Sequence, residues 1–366
     1  MNQYLSENFG LFGTAPSGKR RLTGTMRTVL ANPVLHYVLF GVLMIVVGYL
    51  SANRIIPDIL PYSVQSSLAS TFAYSIASVG FCLLLGYSGL ASLGIGGFIG
   101  IGCYSIHFIM SEAGLPFGVA VLAAVSVGIV IGLIVGFISL RIEGIYLVIL
   151  TLGLSEILRN LFVAIEDTIR VRNWELFGIE ITRSDTIYVV TVLLVIIMII
   201  THNLINSPTG RAMLAMKNST AASQAMGISL LKYRLLAFVI CTVYAVLAGM
   251  MLLLSVRSAI ASNGAGFYAL ITSLNILAAV IIGGYRSIWG AVFGTFVMYG
   301  MQTTLLNRID FLQQHPEIIT FVSGALVIVV VMFYPGGLAQ LMLEAKTALK
   351  KLSKKRKEAR YGKDLG

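Results

Sequence analysis

The chain has 366 residues, of which 57% are hydrophobic and only 11% are charged, and it carries a net charge of +11. Its mean hydropathy of +0.89 and its charge content, which is less than half of the roughly 25% typical of a soluble domain, exclude an ordinary water-soluble fold. A chain of this kind buries its apolar surface in lipid, where helices satisfy their own backbone polar groups. We therefore expect an all-α fold, a polytopic bundle of membrane helices.

A helix needs roughly 20 consecutive apolar residues to cross a bilayer. On this rule the sequence predicts about ten transmembrane helices. The predicted spans lie near residues 34–52, 62–85, 90–110, 116–140, 143–163, 186–205, 235–255, 267–283, 288–306 and 318–334. The third and the eighth are interrupted by glycine, which predicts broken or re-entrant segments there.

The basic residues predict the orientation of the chain, because cytoplasmic segments of membrane proteins are enriched in lysine and arginine. The first segment, 1–33, and the tail, 339–366, are both basic, so we expect both termini in the cytoplasm and residues 34–338 as the membrane domain. An even number of spans puts the 206–234 loop on the same side. On the outer side the longest loop is 164–185, which is long enough for a short surface helix.

A polar and basic stretch, residues 206–234, interrupts the apolar middle of the chain. Ser207 is a predicted helix N-cap, Pro208 the first helical residue and Gly227 the stop of that helix. Small residues and cations on a helix at the membrane surface suit a protein partner. The alternative is an ordinary cytoplasmic loop.

Two glycine-rich stretches are candidates for a translocation path. The first, residues 86–102, holds seven glycines, and the second, residues 275–294, contains Gly283 and Gly284 beside the polar Asn275. Ser88 and Ser92 are placed to bind backbone groups at a break in the first stretch. Broken helices at mid-membrane mark permeation paths, whereas the alternative for such glycines is close helix packing.

Side chains that could form a disulfide, a metal site or a catalytic site are scarce. Cys82, Cys103 and Cys241 lie inside apolar runs and are expected to be small buried side chains. The four histidines stand at no metal-ligand spacing from a cysteine or an acid, so the sequence predicts no metal site. Glu156 and Arg159 are spaced to pair on one helix. Without a nucleophile and base we expect no enzyme activity, and a basic tail alone does not indicate nucleic-acid binding.

Several short runs occur in an order and spacing that resemble the permease subunit of bacterial ABC importers for branched-chain amino acids. They are residues 89–94 (GLASLG), 98–102 (FIGIG), 207–212 (SPTGRA), 221–222 (AA), 225–228 (AMGI), 233–238 (YRLLAF) and 247–249 (LAG), then Gly283, Gly284, Ser287, Gly290, Gly294, and residues 334–338 (YPGGL). The resemblance covers most of the membrane part of the chain.

This resemblance implies a permease domain in the bacterial plasma (inner) membrane, with four kinds of partner: a second permease subunit, two cytoplasmic ATPase subunits, an extracytoplasmic substrate-binding protein and membrane lipid. It also implies that this chain needs no cofactor, because the ATPase partner hydrolyses ATP. The 206–234 loop would hold the helix that couples to the ATPase, through Gly210, Arg211, Ala221, Ala222 and Gly227. The expected translocation path follows Ser92, Gly94, Gly97, Gly100, Asn275, Gly283 and Gly284.

The chain departs from the family pattern at three places. Ile95, Gly96 and Gly97 stand where the family often has His-Ala-Ala. The run 218–220 (NST) replaces acids, and Ala291 replaces a common proline. These departures leave the substrate open, since close relatives move urea and short amides. A self-sufficient secondary transporter is a further alternative.

Overall fold

The computed structural model describes residues 33–52, 62–139, 144–171, 174–176, 179–182, 185–262 and 266–301, with positions 321, 324, 325, 328, 332 and 337. The predicted segments 1–32 and 339–366 and most of the tenth span lie outside the described residues.

The described chain is mainly helical. In chain order the helices are α1 (Pro33–Ala52), α2 (Tyr62–Leu83), α3 (Ile95–Ile106), α4 (Phe117–Ser139), α5 (Ile145–Ile165), α6 (Thr186–Asn206), α7 (Pro208–Asn218), α8 (Thr220–Ala225), α9 (Leu230–Val256), α10 (Leu270–Gly283) and α11 (Ile288–Thr295). Turns of π-helix, which form i→i+5 hydrogen bonds, extend α2, α3 and α11 over Leu84–Ser88, His107–Glu112 and Phe296–Gly300.

Among the described residues, six helices are long and apolar enough to cross a membrane: α1, α2, α4, α5, α6 and α9. They correspond to predicted spans one, two, four, five, six and seven, which confirms a multi-pass helical membrane protein. Helix α9 begins five residues before the predicted start of the seventh span. Helices α10 and α11 are apolar but shorter, so the total of about ten spans stays a prediction.

Helices α2 and α9 form the buried centre of the bundle. Helix α9 packs against α2, α3 and α4, and two glycines bring α3 and α9 into backbone contact. A Cβ on Gly102 would overlap the Val246 carbonyl, and one on Gly249 would overlap the Ile99 carbonyl. In contrast, α1, α4 and α5 expose many large apolar side chains, which suits helices at the lipid or partner surface of the bundle.

The outer loop differs from the sequence prediction. Where the structure describes residues 164–185, they form no separate surface helix, because short strands use the backbone groups instead. Strand β1 (Thr168–Arg170) pairs antiparallel with β4 (Ser258–Ile260), and β2 (Trp174–Leu176) pairs with β3 (Ile179–Ile181). Strand β4 directly follows α9, so the β1–β4 pair joins two links that the span count places on the same side.

Candidate functional site

Between Ser207 and Gly227 the loop folds into two short helices, which corrects the single helix expected over those residues, whereas the helix expected after Ser229 forms as the start of α9. Ser207 caps α7 as predicted, since its hydroxyl accepts a hydrogen bond from the Gly210 N–H at 3.4 Å with Pro208 in the first turn. Ser219 then takes an extended backbone and caps α8, accepting from the Ala222 N–H at 3.3 Å. The break arises because Ser219 is itself an N-cap. Gly227, with φ of +78°, follows α8.

Helix α7 lies against the bundle by one face. Met213 and Met216 are buried in the core, and Gly210 is buried where α7 turns away from α6. A Cβ on Gly210 would overlap the carbonyls of Leu204 and Ile205. Gly210, one of the predicted coupling residues, therefore lies buried at the turn, and its part in coupling stays a prediction.

Helix α8 projects from the bundle. Ser223 is its buried residue, whereas Ala221 and Ala222 are exposed, as is Gly227 just beyond it. Met226, immediately after α8, is 70% exposed. Together with the exposed Arg211 on α7, these residues form a small protruding surface that we call the α7–α8 knob.

Lys217, near the end of α7, joins the knob to the membrane helices. Its Nζ donates hydrogen bonds to the carbonyls of Leu85 and Gly86, at 2.9 and 2.8 Å. Both carbonyls belong to the π-helical turn that ends α2. The same Nζ lies 4.4 Å from the centroid of the Tyr285 ring, a cation–π contact. Burial, and secondarily the positive charge of Arg286, lower the pKa of Lys217.

Tyr285 lies in the turn between α10 and α11, so Lys217 contacts both glycine-rich stretches at once. The two stretches also touch each other directly. A Cβ on Gly86 would overlap the Tyr285 carbonyl, and the Tyr87 hydroxyl donates to the Arg286 carbonyl at 3.1 Å. We call this meeting of α7, the end of α2 and the α10–α11 turn the Lys217 junction. The sequence reasoning missed the role of Lys217, because one lysine among several in a basic loop carries no pattern.

The predicted break in the first glycine-rich stretch is confirmed: residues 89–94 are non-helical and α3 begins only at Ile95. At this buried helix start, side-chain hydroxyl oxygens accept hydrogen bonds from the backbone N–H groups that have no partner within the helix. The donor and acceptor pairs are Leu93 N with Thr151 Oγ1 (3.0 Å), Gly94 N with Ser92 Oγ (3.3 Å), Gly96 N with Ser273 Oγ (2.8 Å) and Gly97 N with Ser155 Oγ (2.9 Å). Ser92 thus binds a backbone group at the break, as predicted. The other three hydroxyl acceptors belong to α5 and α10.

The other predicted path residues lie at close helix contacts. Gly97 faces Ser155 of α5, and a Cβ on Gly100 would overlap the Phe162 ring. Gly283 meets Gly290 backbone to backbone, which closes the α10–α11 hairpin, and Gly284 has a φ of +104°. Close packing accounts for Gly97, Gly100 and Gly283, and the left-handed backbone accounts for Gly284. The part of all four in lining a path stays a prediction.

Asn275 of α10 faces protein, as a polar group inside a span is expected to do. Its side chain hydrogen-bonds to Tyr299, whose ring stacks on Tyr74 at a centroid distance of 4.0 Å. The expected Glu156–Arg159 pair also forms, with Arg159 Nε donating to Glu156 Oε1 at 2.9 Å.

Cys82, Cys103 and Cys241 are buried and free, as the sequence predicts.

Long apolar helices and a helix broken inside the bundle are features that membrane transport proteins share. The family model described as "Branched-chain amino acid transport system / permease component" matches residues 63–331, and the chain belongs to this family. It is thus a multi-pass permease subunit of an ABC importer in the inner membrane.

Two curated relatives carry the name "High-affinity branched-chain amino acid transport system permease protein LivM". The protein from Salmonella typhimurium is 28% identical over 299 residues, which cover 73% of this chain and 68% of that protein. The protein from Escherichia coli is 27% identical over the same shares of both chains. No solved structure matches the chain.

Proposed function

We propose that this subunit translocates branched-chain amino acids that an extracytoplasmic binding protein delivers. The names of the two relatives support this substrate class. In this proposal the subunit works with a second permease subunit and two cytoplasmic ATPase subunits, and both of its termini lie in the cytoplasm. The chain itself holds no cofactor and catalyses no reaction, since the ATPase partners bind and hydrolyse ATP.

The α7–α8 knob is the part that binds the ATPase. Its exposed alanines leave little side-chain bulk, which suits insertion into a groove on a partner. Arg211 adds a charge at the edge of this surface. A knob held only by its own loop would move without moving the spans, so coupling also requires a connection to the membrane helices.

The observation that carries the proposal is the Lys217 junction. Because Nζ of Lys217 binds the two carbonyls at the end of α2 and faces Tyr285, a displacement of α7 acts on α2 and on the α10–α11 hairpin together. Each charge-assisted hydrogen bond of this kind contributes about 1.5–3 kcal/mol. The contacts are strong enough to transmit motion and few enough to be exchanged during a transport cycle.

The contacts also fit the proposed orientation. The span count assigns the links after spans two and eight and the 206–234 loop to the same, cytoplasmic side, and all three meet at the Lys217 junction. The links that contain β1 and β4 meet at the opposite end. This agreement supports a cytoplasmic knob.

The test is uptake of radiolabelled leucine into vesicles that contain the complete complex and ATP. The wild-type chain should co-purify with an ATPase from native membranes and import leucine, with isoleucine and valine competing and urea not competing. Arg211→Glu reverses a charge on the knob and should lower uptake by about tenfold or more, equivalent to at least 1.4 kcal/mol of interaction.

Lys232→Glu is the matched control, because Lys232 is exposed at the start of α9 and lies outside the α7–α8 knob, and it should leave uptake near the wild-type level. Full uptake by Arg211→Glu, or purification of the chain without any ATPase, would contradict the coupling role. Competition by urea but not by valine would instead overturn the substrate class.

A further inference from the structure

A histidine and two acids meet at the outer end of α3, away from the Lys217 junction. His107 starts the π-helical turn after α3, Glu112 ends that turn, and Glu166 follows α5. One ligand atom of each residue lies within 4.8 Å of the others. His107 is buried, Glu166 is partly buried and Glu112 is exposed. Sequence spacing did not predict this group, because 59 residues separate His107 from Glu166.

The hydrogen-bond partners of His107 leave one position that either a proton or a metal ion fills. Its Nδ1 lies 2.9 Å from the Arg170 carbonyl, which only accepts hydrogen bonds, so Nδ1 carries the proton. In the neutral ring Nε2 then presents a lone pair. This lone pair points at a carboxylate oxygen of Glu166, 3.1 Å away, which is also an acceptor. Two acceptors at this distance repel each other, so either a proton, which makes the contact an ion pair, or a metal ion lies between them.

The spacing is that of two ligands on one metal ion. Atoms that each lie about 2.0 Å from a tetrahedral zinc ion are about 3.3 Å apart, close to the observed separation of Nε2 and Oε2. The bond from Nδ1–H to a backbone carbonyl is the usual outer-shell contact of a metal-binding histidine, because it fixes the ring and its tautomer. Two carboxylates and a neutral imidazole also match the charge of a divalent ion.

We propose that His107, Glu112 and Glu166 bind a divalent transition-metal ion of the Zn²⁺ type on the outer side of the protein. The imidazole nitrogen favours Zn²⁺ over Mg²⁺ and Ca²⁺, which prefer oxygen ligands. Glu112 is exposed and reaches the ion by rotating its side chain. The ion fixes the outer end of α3 to the end of α5, independently of which solute the permease carries.

The test uses the full chain with its partner subunits in lipid nanodiscs, stripped of metal by a chelator and then titrated with Zn²⁺. The wild-type chain should bind one additional Zn²⁺ relative to His107→Gln, and excess Mg²⁺ should not displace it. Replacing Zn²⁺ by Co²⁺ should give the visible absorption of a low-symmetry site. Glu166→Gln should weaken binding by about tenfold or more, since even outer-shell changes cost roughly 10–100-fold in affinity.

His202→Gln is the control, because this histidine hydrogen-bonds to Asn206 at the other end of the protein and should leave Zn²⁺ binding unchanged. Glu112→Gln, at an exposed position, tests the site without disturbing the core and should also weaken binding. Equal Zn²⁺ binding by wild type and His107→Gln would overturn the proposal and assign the His107–Glu166 contact to a shared proton.

Discussion

The two ends of the bundle are held together in different ways. At the end that holds the α7–α8 knob, the side chain of Lys217 contacts two segments that are distant from it in the chain, the end of α2 and the α10–α11 turn. At the opposite end, which the span count predicts to be the outer one, the backbone makes the connections: β1 pairs with β4, the Val171 N–H donates to the Arg257 carbonyl at 3.0 Å, and the Ala261 N–H donates to the Asp167 carbonyl at 2.8 Å. A set of main-chain bonds is lost only together, whereas one ammonium group exchanges partners easily.

This difference indicates that one end of the bundle is rigid and that the contacts at the other end can exchange. The outer end is a fixed frame, which Arg257 strengthens by donating from its guanidinium to the Ile181 carbonyl at 2.8 Å. In the proposed function, the contacts at the Lys217 junction are the ones that rearrange when the ATPase closes and opens. The following substitutions test this comparison.

The largest effect is expected for Lys217→Met, which keeps most of the apolar stem but removes the charge and the three donors. Uptake should fall by about tenfold or more while membrane insertion is retained, because the two carbonyls lose hydrogen bonds worth about 1.5–3 kcal/mol each. Transport and ATPase activity should both be measured in proteoliposomes. ATP hydrolysis that continues without uptake would indicate uncoupling.

Lys232→Met is the control for Lys217→Met, since Lys232 is an exposed lysine at the start of α9 and should tolerate the change. Uptake by Lys217→Met within about twofold of wild type, a difference of only about 0.4 kcal/mol, would remove Lys217 from the coupling route.

A smaller effect is expected for Gly86→Ala. The added methyl group overlaps the Tyr285 carbonyl, so the end of α2 and the α10–α11 turn must separate, at a cost of about 1–3 kcal/mol. Thermal unfolding in detergent should show the loss. Gly153→Ala is the matched control, because no atom lies within 4 Å of a Cβ there, and a mid-helix alanine should be neutral or stabilising by about 0.5–1 kcal/mol.

If both glycine variants unfold at the wild-type temperature, the backbone contact at the Lys217 junction is looser than described.

The smallest effect is expected for Ser262→Ala at the outer end. Its hydroxyl lies 3.0 Å from Asp167 Oδ2, but the contact is exposed and the main-chain bonds beside it remain. We expect a loss of at most about 0.5–1 kcal/mol in the free energy of unfolding and normal uptake. A large loss of stability in the same unfolding assay would mean that side chains, not the backbone, hold the outer end.

Hydropathy was sufficient to predict the long helices, because a span must be apolar along its whole length. The helix N-cap at Ser207 and the helix stop at Gly227 could also be predicted from the sequence, since each depends on one residue type in a local conformation. The break after Asn218 was missed although residues 218–220 favour helix caps, because Met213, Met216, Ala221 and Ala225 fall near the spacing of one continuous helix.

Contacts between segments that are distant in the chain could not be predicted from the sequence. Strands of three residues have too few positions to show an alternating pattern, and β1 finds its partner about 90 residues later. The same limit hid Lys217, whose acceptors are backbone carbonyls that any residue supplies, and the pairing of His107 with Glu166. For the glycines, the sequence indicated special positions but did not distinguish close packing from a translocation path.

The hydroxyl groups at the start of α3 have a consequence for biogenesis. Thr151 and Ser155 of α5 and Ser273 of α10 complete its amide donors, and all three are synthesised after α3 has left the ribosome. Until then those amides have no protein acceptors from these helices, and the hydrocarbon offers none. The broken segment therefore reaches its native position in the bundle late, when the chain up to α10 has entered the membrane.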